Sequence, residues 1–121
     1  MIRAIRGAIT VEVNEAEEIL NATERLVREM ASQNSIIPNS IVSILISATT
    51  DIYACFPAAA LRRLEGWMHV PVMCMQEINV PGAIDKCIRV MMTVEAEMQQ
   101  HEVAHIYLER AVQLRPDLRN K

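Results

Sequence analysis

Only four of the 121 residues are aromatic (Tyr53, Phe56, Trp67 and Tyr107), and acidic residues outnumber basic ones by 15 to 12. A formal charge of -3 gives no basic footprint for phosphate backbones, and so few rings cannot stack on successive bases, which excludes nucleic acid as the expected partner. No run of about 18 apolar residues occurs, so no membrane span is expected. The opening MIRAIRGAIT alternates charged and apolar residues and lacks the continuous hydrophobic region of a signal peptide, so a cytoplasmic location is expected. The three cysteines, Cys55, Cys74 and Cys87, form no CxxC, so neither a disulfide framework nor a thiolate zinc site is encoded, and reduced, packed thiols are expected. Lysine is nearly missing: Lys86 and Lys121 stand against ten arginines, a bias toward the planar, bidentate cation suited to carboxylates.

What is present is enough for a core. A hydrophobic share of 51% with 22% charged residues predicts one compact domain over 1–121, too short to divide. Ile2 to Glu12 reads as a strand containing Arg6 and Gly7. Asn14 is placed to cap a helix running to about Gln33, in which Ala16, Ile19, Leu20, Thr23, Val27 and Met30 recur at helical spacing. Its other face carries Glu24 with Arg28, and Arg25 with Glu29, at i,i+4 spacing. Val42, Ile44, Ile46 and Ala48 alternate with Ser43, Leu45 and Ser47, the period of a strand with one buried face. Pro57 opens a short helix over Ala58 to Glu65, ended by Gly66. Val72 to Glu77 and Lys86 to Val94 read as strands on either side of a Pro81-Gly82 turn. The expected fold is α+β, a mixed β-sheet with helices packed on one face.

Three charges fall in strongly apolar strand settings. Arg89 is flanked by Ile88, Val90 and Met91; Glu77 shares a strand face with Met73 and Met75; Arg6 shares one with Ile2, Ala4 and Ala8. Either Arg89 and Glu77 form a buried ion pair while Arg6 reaches solvent, or a ligand supplies the negative charge that two arginines and one glutamate lack.

The segment His101-Glu102-Val103-Ala104-His105 fits H-E-x-x-H, in which a helix presents two histidines to zinc. It is set aside because the following IYL favours a strand and His69 is the sole other histidine, so no metal is expected. No G-x-S-x-G, GxGxxG or P-loop occurs, and Cys74 has no sequence neighbour to activate it.

The segments IRGAITVE, ATTDIYACFPAAALRRL, VPVMCMQEINVPG, KCIRVMMTV and HIYLERAVQLRPDL resemble, in order and over nearly the whole chain, the AroH-class chorismate mutases. The resemblance implies conversion of chorismate to prephenate in phenylalanine and tyrosine biosynthesis, a Claisen rearrangement that needs no cofactor, metal, covalent intermediate or protein-mediated proton transfer. It also implies a homotrimer, a pseudo-α/β-barrel with active sites between subunits. By that resemblance Arg89 meets the ether oxygen, Arg6 and Tyr107 hold the enolpyruvyl side chain, and Glu77 orients the ring hydroxyl, with Cys74 beside it. Phe56 and Arg62 come from the neighbouring subunit, Met73 is grouped with the substrate-binding residues, and Leu114 and Arg115 belong to the tail at the mouth. The resemblance departs at Ala59, where the family pattern often places Lys, and the missing cation weakens the expected hold on the ring carboxylate. The alternative is a non-catalytic trimer binding a small dicarboxylate on the same scaffold. An imine deaminase of the related trimeric fold is disfavoured, because CMQE and CIRVMM do not look like that family.

Overall fold

The computed structural model describes residues 1–115; Pro116 and the rest of the LRPDL segment lie outside them. Strands β1 (Ile2–Thr10), β2 (Ile41–Ala48), β3 (Val72–Gln76), β4 (Cys87–Glu95) and β5 (Ile106–Leu108) and the helix α1 (Ala16–Gln33) build the framework. They form one sheet in the order β3-β2-β4-β1-β5. The central strand β4 runs antiparallel to both neighbours, while the outer pairs β2/β3 and β1/β5 are parallel. The expected mixed sheet is therefore present.

Helix α1 packs on one face. Alternation along the strands sends Ile5 and Ile9, Ile44 and Ile46, and Ile88, Val90, Met92 and Val94 to that side, where all are buried with Ile19, Leu26, Val27 and Met30 of the helix. The other face carries no α-helix among the described residues; a 3₁₀ segment, Glu109–Leu114, covers Ala8 and Cys87 at one side of it, and Arg6, Ala8, Leu45, Ser47, Met75, Arg89, Met91 and Tyr107 line a cleft there. Cross-strand register puts five of the sheet's side chains in one row, Met75, Ser47, Arg89, Ala8 and Tyr107, one from each strand.

Several local expectations are corrected. Strand β1 ends at Thr10, not Glu12. Asn14 is not the helix cap: Glu15 holds that position, and Asn14 Oδ1 accepts from the backbone N–H groups of Tyr53 and Ala54, tying the loop after β2 to the start of α1. Ala16 is exposed, and Leu26 and Ala31 complete the buried stripe. Arg28 pairs with Glu24 at 3.0 Å, but Arg25 leaves Glu29 for Glu109 at 2.6 Å. A register irregularity between Ile41 and Ser43 turns Val42 out to solvent and gives its inward place to Ile41. The segment after Pro57 is a 3₁₀ helix, Pro57–Arg63, rather than an α-helix to Glu65, and Gly66 at φ 88° turns the chain away just beyond it.

Gly7 is needed where β1 meets α1, because a Cβ there would fall 2.4 Å from Met30 Sδ and 3.1 Å from Leu26 Cδ1. Met30 and Leu26 are both fully buried and have little room to give. Gly7→Ala is expected to cost about 1–3 kcal/mol by overpacking, read as a lower midpoint of chemical denaturation. A midpoint equal to that of the parent protein would show that the helix shifts freely.

Candidate active site

The open face of the sheet holds a cleft of about 320 Å³. Of the residues picked out in the sequence, Arg6, Arg89, Tyr107, Leu114 and Arg115 line it together. Arg89 stands at the middle of β4, where the row across the sheet gives it Ser47 on one side and Ala8, a side chain too small to block the cleft, on the other.

Glu77 follows directly on β3, its N–H donating to Ala48 O at 2.9 Å, so the backbone carries it past the strand end toward Arg89. Arg89 Nε lies 3.0 Å from Glu77 Oε2; the two form an ion pair without an in-line hydrogen bond. The expected pair forms, yet it is not a buried one: the Arg89 and Glu77 side chains are 40% and 26% exposed. Ser47 Oγ donates to the same Oε2 at 3.2 Å, and the Ile78 N–H donates to Oε1 at 3.0 Å. Arg6 does not simply reach solvent: it is half-buried, lines the cleft, and has no carboxylate partner among the described residues. Glu77 lines a neighbouring depression that shares Arg89, not the cleft itself, so the cleft keeps the surplus positive charge of Arg6 and Arg89.

The far wall is fastened by polar contacts. The Arg6 N–H donates to His105 Nδ1 at 2.9 Å, Arg110 N–H donates to Thr10 Oγ1 at 3.1 Å, and the Arg110 guanidinium pairs with Asp85 at 3.1 Å. These hold β5 with Tyr107 and the following 3₁₀ segment, Glu109–Leu114, beside β1. His101 and Glu102 sit in a 3₁₀ turn, Gln100–Glu102, and His105 lies beyond it in extended chain, so the HEVAH segment does not present two histidines one helical turn apart.

Phe56, Arg62, Met73 and Cys74 are not in this cleft. They line a separate depression of about 1150 Å³ between the Pro57–Arg63 helix and β3, together with Ala59. Cys74 points to the helix side of the sheet, opposite to Met73 and Met75, and burial pushes its thiol up. Burial likewise raises Cys87 to about 11, so this thiol stays protonated at neutral pH. Sequence reasoning missed Ser47 and His105 as parts of the site. Ser47 is one of two polar members, with Ser43, of the outward alternation in β2, a signal visible in principle, whereas a histidine accepting from a backbone N–H 99 residues away leaves none.

A mixed sheet with a covered and an open face, the open one bearing arginines around a small cleft, defines a small α+β protein suited to holding an anionic ligand. The chorismate mutase type I family matches residues 2–118. The chain is 52% identical over 118 residues to chorismate mutase AroH of Bacillus subtilis (strain 168), covering 98% of this chain and 93% of that protein. It is 40% identical over 119 residues to chorismate mutase AroH of Thermus thermophilus, covering 98% and 97% respectively. Among solved structures, a chorismate mutase from Clostridium thermocellum superposes with a TM-score of 0.87 at 46% identity, over 89% of this chain and 96% of that one. The chain belongs to the chorismate mutase type I family.

His105 gives the site wall a pH dependence. Burial, with the Arg6 and Arg115 guanidinium groups adding to it, holds the imidazole below its ordinary value of 6.5. The unfolded chain therefore takes up the proton more readily than the folded one. The stability from neutral His105 is full above about 6.5 and is lost as pH falls from there through the lowered folded value. The protonated ring also loses the acceptor for the Arg6 N–H. Thermal midpoints measured from pH 8 down to pH 5 are expected to fall less steeply in His105→Gln, which keeps an oxygen acceptor that does not titrate; an unchanged slope would remove His105 from the account.

Proposed function

We infer that this chain converts chorismate to prephenate, and that the cleft around Arg89 is where it does so. The observation that carries the reading is the arrangement of Arg6, Arg89 and Tyr107 on adjoining strands β1, β4 and β5, in a chain of this family over nearly its full length. A Claisen rearrangement asks nothing of a nucleophile or a base. It asks that a flexible dianion be held compact and that charge growing on the ether oxygen be met by a fixed cation. A guanidinium on the central strand of a sheet is such a cation, because its backbone cannot relax away from the substrate. In this reading Arg89 meets the ether oxygen, Arg6 and Tyr107 grip the enolpyruvyl side chain, and Glu77 orients the ring hydroxyl. Leu114 and Arg115 close the mouth.

A homotrimer completes the site. Leu45, Met73, Met75 and Met91 are exposed on the open sheet face, with Phe56 exposed beside the second depression, more apolar surface than a single chain would leave to water. Docking the depression of one copy over the cleft of the next would bring Phe56, Arg62, Met73 and Cys74 to the substrate and close the sheets into a pseudo-α/β-barrel. The three free cysteines fit a cytoplasmic setting. A binding protein without turnover is the weaker reading, since the named relatives are mutases.

The direct test is loss of chorismate absorbance with prephenate as product, in EDTA, with the activity eluting at trimeric mass. Binding without turnover would favour the non-catalytic alternative, and full activity at monomeric mass would refute the shared site. Arg89→Ala is expected to lose more than about tenfold in kcat, roughly 1.4 kcal/mol, while keeping its fold, because the side chain is half-exposed and not a core element. Ala59 lines the depression where a cation would reach a ring carboxylate. Ala59→Lys is expected to lower KM with kcat little changed, as a peripheral charge adds nearly uniform binding; an unaltered KM contradicts that role.

A further inference from the structure

We propose that Ser47 is a positioning residue for the Arg89–Glu77 pair, holding the carboxylate beside Nε so that the terminal guanidinium nitrogens stay available to the substrate. The proposal rests on the reading of this cleft as the mutase site. Ser47 lies between Met75 and Arg89 in the row across the sheet, so its backbone is fixed by ladders on both sides. Its hydroxyl donates to Glu77 Oε2 at 3.2 Å, the same oxygen that lies 3.0 Å from Arg89 Nε. Oε1 is held by the Ile78 N–H at 3.0 Å.

A carboxylate commonly meets a guanidinium through two parallel N–H groups, one to each oxygen. Here that bidentate arrangement is not made: Oε2 alone lies beside Nε, in an ion pair that lacks an in-line hydrogen bond, while Oε1 is turned to the Ile78 N–H. No hydrogen bond from the terminal nitrogens of Arg89 is made to any described residue. Among the described residues Ser47 is the one side-chain hydroxyl bonded to the carboxylate, and its donor on β2 holds Oε2 where it lies. Without it Glu77 keeps a single backbone donor and is free to swing onto the terminal nitrogens. The guanidinium would then be neutralised by its own chain in the place where the transition state needs it.

The test compares the parent protein, Ser47→Ala and Ser47→Thr, the last retaining a hydroxyl on a side chain suited to a strand. Ser47→Ala is expected to lower kcat about tenfold with KM changed less than about threefold, and Ser47→Thr to restore kcat to within about threefold of the parent. A merely structural role would leave kcat unchanged or be mended by any residue of similar size, so the split and the rescue both bear on it. A kcat in Ser47→Ala within about twofold of the parent, or no rescue by threonine, overturns the proposal. The crystal structure of Ser47→Ala gives a readout independent of turnover: the carboxylate is expected at the terminal nitrogens, and a carboxylate still beside Nε overturns the proposal. Failure of the parent to convert chorismate would instead overturn the activity assigned to the cleft, leaving that crystal structure to decide the role of Ser47.

Discussion

A permanently charged side chain on the central strand of a five-stranded sheet has to be answered by the fold around it. Arg89 has this place, and much of the architecture serves it: one face of β4 is sealed by α1, the other is left open, and the neighbouring strands supply Ser47 and Ala8 in the same row. Glu77 answers the charge in part, from the end of an edge strand, and the partial exposure of both groups keeps the desolvation cost of the pair modest. Full burial would have made the pair a structural element alone. Full exposure would have left the guanidinium screened by water and mobile. The intermediate setting gives a cation that is fixed in place and still reachable.

The elements that position this cation were legible because they follow from short-range rules. Alternation in CIRVMMTV and VSILISA reads directly as strands with one buried face, and the stripe from Ile19 to Met30 reads as a helix. What failed were choices between close competitors. Asn14 has the chemistry of a cap, but the loop at Tyr53 and Ala54 claims its oxygen first. Arg25 has Glu29 one turn away, but Glu109, brought near by the tertiary fold, takes it. Pro57 starts a helix as expected, yet the tighter 3₁₀ winding depends on how that segment lies against α1 and β3, which no local pattern encodes.

The site divides in the same way. Arg89, Glu77 and Arg6 stand out because charges in apolar strands are unusual, so their nearness within one chain could be anticipated. The gathering of Phe56, Arg62, Met73 and Cys74 in another depression could not come from periodicity, since Met73 and Cys74 face opposite sides of β3 and share it only through the path of the chain after Pro57. Only the resemblance to a family, which carries information about assembly, suggested that residues far apart in one copy belong together. His105 was noticed for a metal motif and has a humbler part, accepting a backbone hydrogen bond that anchors the last strand.

That last strand sets the order in which the molecule can be made. Strand β5 has three residues, and its anchor to Arg6 spans 99 positions of the chain. Loop closure over such a distance is slow and is rewarded late in folding. On the ribosome β1 and α1 emerge early, but the anchor at His105 and Tyr107 emerge only after the other four strands of the sheet. The cleft lined by Arg6, Arg89 and Tyr107 therefore cannot form in a nascent fragment that stops short of β5, although Leu45, Met75 and Met91 of the same face have already emerged. Synthesis thus passes through an interval in which four strands of the sheet are present but the wall of the cleft is missing, with the apolar side chains of that face open to aggregation.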